Sequence, residues 1–89
     1  MKIKLELFGA SKDLSNKEFL EIDLKKNSLI KDLRNEIIVY VDEKFKGNES
    51  FKNIVKTSAF CSEDNNIISD NYKITKDQKI GIIPPIGGG

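Results

Sequence analysis

Lys79-Ile80-Gly81-Ile82-Ile83-Pro84-Pro85 is the stretch of this sequence that decides the fold. Its first five residues are almost continuously apolar, which is typical of a strand buried on both faces at the centre of a sheet. The two prolines that follow supply no backbone N–H and fix φ at about −65°, so they cannot continue the sheet pairing. We therefore expect a central strand over residues 79–83 and an extended segment from Pro84 onward.

Two alternating stretches near the start of the chain predict a hairpin. Apolar residues occupy every second position over residues 2–8 and again over 18–24, and this period of two indicates half-buried strands. The inward residues are Ile3, Leu5 and Leu7 in the first stretch, and Leu20, Ile22 and Leu24 in the second. Because the polar connection over 10–17 is short, the two strands are expected to pair antiparallel.

The middle of the chain predicts one long amphipathic helix. Apolar residues recur at steps of three and four between Ser28, a plausible N-cap, and Gly47, a terminating residue. They are Ile30, Leu33, Ile37, Val41 and Phe45. Residues 49–56 then predict a short second helix, residues 57–63 a strand, and Ile67-Ile68 a short return strand.

This order of elements predicts an α+β fold, a β-grasp (ubiquitin-like) mixed sheet packed on one main helix. Parallel neighbours need a long crossover connection, so the first and last strands are expected to pair in parallel. The division that follows is a β-grasp domain over residues 1–83 and an extended Pro-Pro/Gly tail over residues 84–89.

Composition argues against several classes of function. The chain has 89 residues, and its 15 basic and 14 acidic side chains leave a net charge of only +1, which disfavours nucleic-acid binding. No apolar run approaches the roughly 18 residues of a membrane span, and the start of the chain lacks the apolar region of a signal peptide. With no histidine and a single cysteine, Cys61, we expect no metal site, no catalytic pair and a reducing, cytoplasmic compartment. Cys61 itself is expected to lie in a strand as a small hydrophobe.

The last six residues, Pro84-Pro85-Ile86-Gly87-Gly88-Gly89, suggest a functional tail. A stiff spacer leads into three residues without side chains, and the α-carboxylate of Gly89 is ionised at neutral pH. Such a thin thread suits an acyl group that must reach deep into another protein. The alternative is an ordinary frayed terminus.

The ending Ile82-Ile83-Pro84-Pro85-Ile86-Gly87-Gly88-Gly89 resembles that of a known family, the small sulfur-carrier subunit of molybdopterin synthase. This MoaD-type family belongs to the MoaD/ThiS ubiquitin-like superfamily. Residues 5–14 and 74–80 are also similar to it. Asp77-Gln78 departs from the Asp-Gly-Asp turn that the family commonly carries before its last strand, and Glu63-Asp64 departs from its Val-Asn pair.

The resemblance implies a subunit that is no enzyme on its own and binds no cofactor. An E1-like adenylyltransferase/sulfurtransferase partner (MoeB-type), using ATP and Mg²⁺, would adenylate the Gly89 carboxylate, and a sulfur donor would convert it to a thiocarboxylate. The tail would then enter the large subunit of the synthase, in an expected heterotetramer, and donate sulfur to cyclic pyranopterin monophosphate. A side chain at Gly88 or Gly89 would widen the tail where the partner must close around it.

Phe8, Ile67 and Ile83 are the expected partner-binding residues. The phase of the strands places Phe8 and Ile83 opposite the inward residues of the first and last strands, so they are expected to form an exposed apolar patch, joined by Ile67. The family's contact surface is similar in position. The alternative is that Phe51 or the connection over 10–17 covers them.

Three other functions remain open at this point. A thiamine-pathway sulfur carrier also ends in Gly-Gly, although such carriers are typically shorter and usually lack the Pro-Pro. A ubiquitin-like protein modifier would share the activation step but join Gly89 to lysines of target proteins. A plain β-grasp binding module would carry the tail incidentally.

Overall fold

The computed structural model describes residues 1–85 of the chain. In chain order these form β1 (Lys2–Leu7), a 3₁₀ segment (Gly9–Leu14), β2 (Phe19–Asp23), α1 (Ile30–Lys44), α2 (Glu49–Thr57), β3 (Ala59–Cys61), β4 (Ile67–Ile68) and β5 (Gln78–Ile83). Within this described part of the chain, no helix is long and apolar enough to cross a membrane.

The five strands form one mixed sheet in the order β2-β1-β5-β3-β4. β1 pairs antiparallel with β2 and parallel with β5, and β3 pairs antiparallel with both β5 and β4. The last strand is therefore central, the first two strands form a hairpin, and α1 is the crossover between the two halves of the sheet. The α+β fold of the β-grasp class is confirmed.

The core lies between one face of this sheet and α1. Leu5 is level with Ile80 and Leu7 with Ile82 in the parallel register, so the inward residues of the two central strands meet in pairs. The apolar stripe of α1 packs onto them. The fully buried residues of this layer are Ile3, Leu5, Ile80 and Ile82 from the strands and Ile30, Leu33, Ile37 and Val41 from the helix.

The start of α1 differs from the sequence prediction. Leu29, not Ser28, is the N-cap, and the Asp32 carboxylate accepts a hydrogen bond from the Leu29 N–H at 2.8 Å. The next two N–H groups of the helix donate to the carbonyls of Tyr72 and Asp70 at 3.0 Å each. Because a distant loop satisfies these otherwise unpaired donors, the helix needs no serine cap.

The connection after β1 is more ordered than its polar sequence predicts. The 3₁₀ segment within it is held at both ends: Ser11 Oγ donates to the Phe8 carbonyl at 2.6 Å, and Tyr40 Oη on α1 donates to the Leu14 carbonyl at 2.6 Å. Ser11 and Leu14 are fully buried, and burial raises the pKa of the Tyr40 phenol. This segment fixes the backbone that follows β1.

Arg34 on α1 joins the two helices to the sheet. Its guanidinium donates to the carbonyls of Val55 and Ser58 at 2.7 Å each, around the end of α2, and to the Asp70 carboxylate at 2.7 Å. The same group lies 4.8 Å from the centre of the Phe60 ring. One planar cation therefore satisfies carbonyls from the last turn of α2 and from the residue before β3.

Replacing Arg34 by alanine should destabilise the protein by about 3 kcal/mol, because half-buried carbonyls lose a charged donor. Lys31→Ala, an exposed change on the same helix, should alter the free energy of unfolding by less than about 0.5 kcal/mol. Urea unfolding followed by circular dichroism measures both. Equal stability of the two variants would show that the Arg34 contacts are dispensable.

Candidate functional site

The face of the sheet opposite α1 carries an uncharged patch. The pairing register places Cys61 level with Gly81 and with Ile67, and Ala59 level with Ile83. Phe8 follows Leu7, which pairs with Ile82, so it comes level with Ile83. These residues are called the open-face patch: Phe8, Ala59, Cys61, Ile67, Gly81 and Ile83.

The Phe8 ring lies over Gly81 on the central strand. A Cβ built on Gly81 would lie 2.9 Å from Phe8 Cε2 and 2.7 Å from Cys61 Sγ. The ring edge and the sulfur are both within 3 Å of that single point, so they lie within about 6 Å of each other. Phe8 nevertheless keeps 38% of its surface exposed, and it therefore forms part of the protein surface.

The structure places the three predicted contact residues on the same face. Phe8 comes directly after β1 and Ile83 ends the neighbouring strand β5, whereas Ile67 is at the far edge of the sheet and 67% exposed. Cys61, on the intervening strand β3, connects Ile67 to the rest of the patch and is largely buried.

Neither of the expected alternatives covers Phe8. Phe51 packs on the core, with its ring centre 4.7 Å from that of Phe45. The connection over residues 10–17 contributes to a shallow groove beside Phe8, together with Glu6 and Glu18. The ring is therefore bordered by this connection and remains accessible from outside the sheet.

The root of the tail stays against the body of the protein for one residue beyond β5. β5 ends at Ile83, but Pro84 is still buried, and Pro85 is exposed. Gly9 has a φ of +54°, and a Cβ built on it would lie 4.0 Å from Pro84 Cδ. The 3₁₀ segment and the root of the tail thus meet beside the open-face patch.

The remaining tail residues lie outside the described part of the chain. They are Ile86, Gly87, Gly88 and Gly89. Their predicted roles, including that of the Gly89 carboxylate, stay predictions from the sequence.

Charged side chains border the patch toward the opposite ends of the same strands, and Glu6, which is level with Gly81, lies directly beside it. The Glu63 carboxylate accepts from the backbone N–H of Lys79 at 2.7 Å, and the Asp77 carboxylate accepts from that of Lys2 at 2.9 Å. Lys79 Nζ lies 3.6 Å from Glu6. Glu63 and Asp77, two departures from the family pattern, thus hold the first residues of the central strands in place.

The predicted contact residues did not include three members of the patch, Gly81, Cys61 and Ala59, although strand phase alone places Gly81 on the same face as Ile83. An isolated glycine inside an apolar strand often marks a place where another group approaches closely, so Gly81 carried a usable signal. Cys61 and Ala59 gave none, because their positions depend on the register between strands. The patch contains no charged side chain. A second molecule that covers it would therefore bury apolar surface without burying a charge.

The fold and the tail root define a protein of the ubiquitin-like β-grasp class, and solved structures of this class are similar over almost the whole chain. SAMP1 from Haloferax volcanii superposes with a TM-score of 0.68 at 10% identity, covering 100% of both chains. The Caldiarchaeum subterraneum ubiquitin superposes with a TM-score of 0.61 at 16% identity, covering 100% of this chain and 98% of that chain.

A third similar structure is a protein from Pyrococcus furiosus assigned as molybdopterin converting factor, subunit 1. Its TM-score is 0.69 at 22% identity, covering 96% of this chain and 98% of that chain. No family model and no curated protein matches the sequence. At these identities the likeness establishes the fold, which is the fold expected from the MoaD-type resemblance.

Phe8→Ala should make the Cys61 thiol react several-fold faster with a soluble disulfide reagent, because the edge of the Phe8 ring lies within about 6 Å of the sulfur and its removal opens the surface beside it. Cys61 is the single cysteine in the chain, so the reaction reports this site alone. Val39→Ala, an exposed apolar residue on α1, is the matched control and should leave the rate unchanged. An unchanged rate in Phe8→Ala would show that the ring does not shield the thiol.

Proposed function

We propose that this protein is a sulfur carrier that acts as the small subunit of a molybdopterin synthase. The observation that carries the proposal is the path of β5, which runs through the centre of the sheet into Pro84 and Pro85 beside the open-face patch. A body of this kind holds the root of the tail in a fixed place and offers a partner a surface next to it.

Two further observations support this proposal over other uses of the fold. The Pro-Pro and triple-glycine ending is the part of the sequence that most specifically resembles MoaD-type carriers. A protein assigned as molybdopterin converting factor, subunit 1, has a similar structure over 96% of this chain. The tail and the body therefore both support a role in molybdopterin synthesis.

The proposed chemistry takes place on the terminal carbonyl carbon of Gly89. Its carboxylate attacks the α-phosphate of ATP in the E1-like partner, and pyrophosphate leaves. A sulfur donor at the sulfide level, hydrosulfide or its equivalent, then attacks the carbonyl carbon of the acyl-adenylate, AMP leaves, and loss of the S–H proton gives the thiocarboxylate. ATP and Mg²⁺ are bound by the activating partner, and the large subunit supplies the side chains that catalyse transfer of sulfur to the pterin. The proposed compartment is the cytoplasm.

Docking on the open-face patch would determine where the tail is delivered. From Pro85 to Gly89 the chain has five residues, which span at most about 17 Å when fully extended. The reacting carbon must therefore lie within that distance of the tail root. A partner that docks on Phe8 and Ile83 must therefore hold its catalytic groups inside this radius.

A second candidate function is that of a ubiquitin-like protein modifier. It is favoured by the similar structures of SAMP1 and of an archaeal ubiquitin. Activation of Gly89 would be shared, but the acyl group would be joined to a lysine of a target protein. A sulfur carrier accumulates as a thiocarboxylate, whereas a modifier gives conjugates of higher mass, so mass spectrometry of material from cells separates the two.

A thiamine-pathway carrier would also give the thiocarboxylate, and co-purification with a large synthase subunit separates it from a molybdopterin carrier.

Gly88→Val and deletion of Gly89 should each abolish adenylation while the protein remains folded. The reason is that a side chain widens the tail and a deletion moves the carboxylate. ATP–pyrophosphate exchange with the purified activating partner measures this step. Ile86→Val, a conservative change in the same tail, should retain exchange. Full exchange in Gly88→Val or in the deletion would contradict the proposed role of the tail.

Phe8→Ala should weaken partner binding by about tenfold, because a half-exposed aromatic residue at the centre of a contact surface commonly contributes that much. Val39→Ala changes an apolar residue of similar exposure on α1, so it should bind normally. Titration calorimetry with the large subunit measures affinity, and urea unfolding measures stability. Losses in affinity no larger than those in stability would mean that Phe8 serves only the fold.

A further inference from the structure

We infer that Gly81 is a positioning residue for Phe8: the space left by its missing side chain lets the ring lie on the central strand and so shapes the docking surface. This inference rests on the proposed function, because it concerns how the open-face patch meets a partner. It assigns a role to a glycine within the strand, apart from the glycines of the tail.

Two side chains, those of Phe8 and Cys61, occupy the space that a side chain at position 81 would need. A methyl group at position 81 would lie 2.9 Å from the Phe8 ring and 2.7 Å from Cys61 Sγ, and carbon atoms in folded proteins do not approach that closely. Neither neighbour is backbone. The expected response to a methyl group is therefore movement of the ring and the sulfur, with the strand left in place.

Backbone conformation does not explain the glycine. Positive φ angles are found at Gly9 and Gly47 among the glycines of the described residues, and Gly81 has an ordinary strand conformation. Alanine is compatible with such a backbone. Glycine in a strand interior weakens the strand, and β5 is paired on both sides, so the glycine needs another reason. The Phe8 ring and the Cys61 sulfur, which occupy the space of the missing side chain, supply that reason.

The backbone of Phe8 is held independently of Gly81. Its carbonyl accepts from the N–H of Ser11 at 3.1 Å and from Ser11 Oγ at 2.6 Å, and Ser11 is fully buried. A methyl group at position 81 would thus turn the Phe8 side chain to another rotamer, because the main chain is anchored. The ring would then project from the sheet, and the surface that a partner contacts would change shape.

The experiment compares the full-length wild-type protein with Gly81→Ala, Phe8→Ala and the double variant. The probe is the purified E1-like activating partner with ATP and Mg²⁺, and the readout is the carrier concentration that gives half-maximal pyrophosphate exchange. Gly81→Ala should raise this concentration about tenfold and leave the maximal rate unchanged. The double variant should be no worse than Phe8→Ala alone, because Gly81 acts through the ring.

Nuclear Overhauser contacts between the Phe8 ring and the Hα protons of Gly81 provide a second readout that needs no partner. They should be present in the wild-type protein, and the ring should lose its contact with residue 81 in Gly81→Ala. If Gly81→Ala unfolds, Gly81→Ala combined with Cys61→Ala removes the sulfur and leaves only the ring to move. Persistence of the ring contact in the folded variant would overturn the inference.

The outcomes separate this inference from the proposed function. Additive losses in the double variant would overturn the positioning role and leave the proposed function standing. Normal exchange by Gly81→Ala, when exchange by Phe8→Ala is impaired, would do the same. Normal exchange by Phe8→Ala would overturn docking of the activating partner on the patch, and with it the effect of Gly81 on that docking. Absence of exchange by the wild-type protein would contradict the proposed function, and the nuclear Overhauser contacts would then decide whether Gly81 positions the ring.

Discussion

The parallel pairing of β1 with β5 is the constraint on which the rest of this structure depends. It joins the N-terminal hairpin to the β5-β3-β4 half of the sheet, and it requires the long crossover that α1 supplies. Parallel strands end at the same edge. The turn after β1 and the tail root after β5 therefore meet there, which brings Gly9 beside Pro84 and Phe8 over Gly81.

Periodicity made the fold and part of the site predictable. Alternation in β1 and β5 assigns each side chain to a face without knowledge of its neighbours, so Phe8 and Ile83 could be placed opposite the core from sequence alone. The apolar stripe of α1 likewise identified the buried layer. These inferences hold because each uses only the local repeat of one element, which hydrophobic burial enforces.

The remaining features depend on contacts between distant residues. Ser28 has the side chain of an N-cap, but the carbonyls of Asp70 and Tyr72 satisfy the first turn of α1 instead. Arg34 has no local signal for its bonds to residues 55–58. The Phe8–Gly81 contact follows from the register between β1 and β5, which no single strand encodes. The 3₁₀ segment is held by Tyr40, which is 26 positions from its partner Leu14.

Under the proposed function, the body of the protein determines where the tail is delivered, and the docked partner determines the reaction. The open-face patch consists of uncharged residues next to the buried Pro84, so it is suited to hold the root of the tail in place. The choice between sulfur donation and lysine conjugation would then be made by the partner that docks beside Pro85. Since the tail chemistry is common to both, specificity would lie in the shape of the patch, and the Phe8 ring on Gly81 is its most shape-dependent feature.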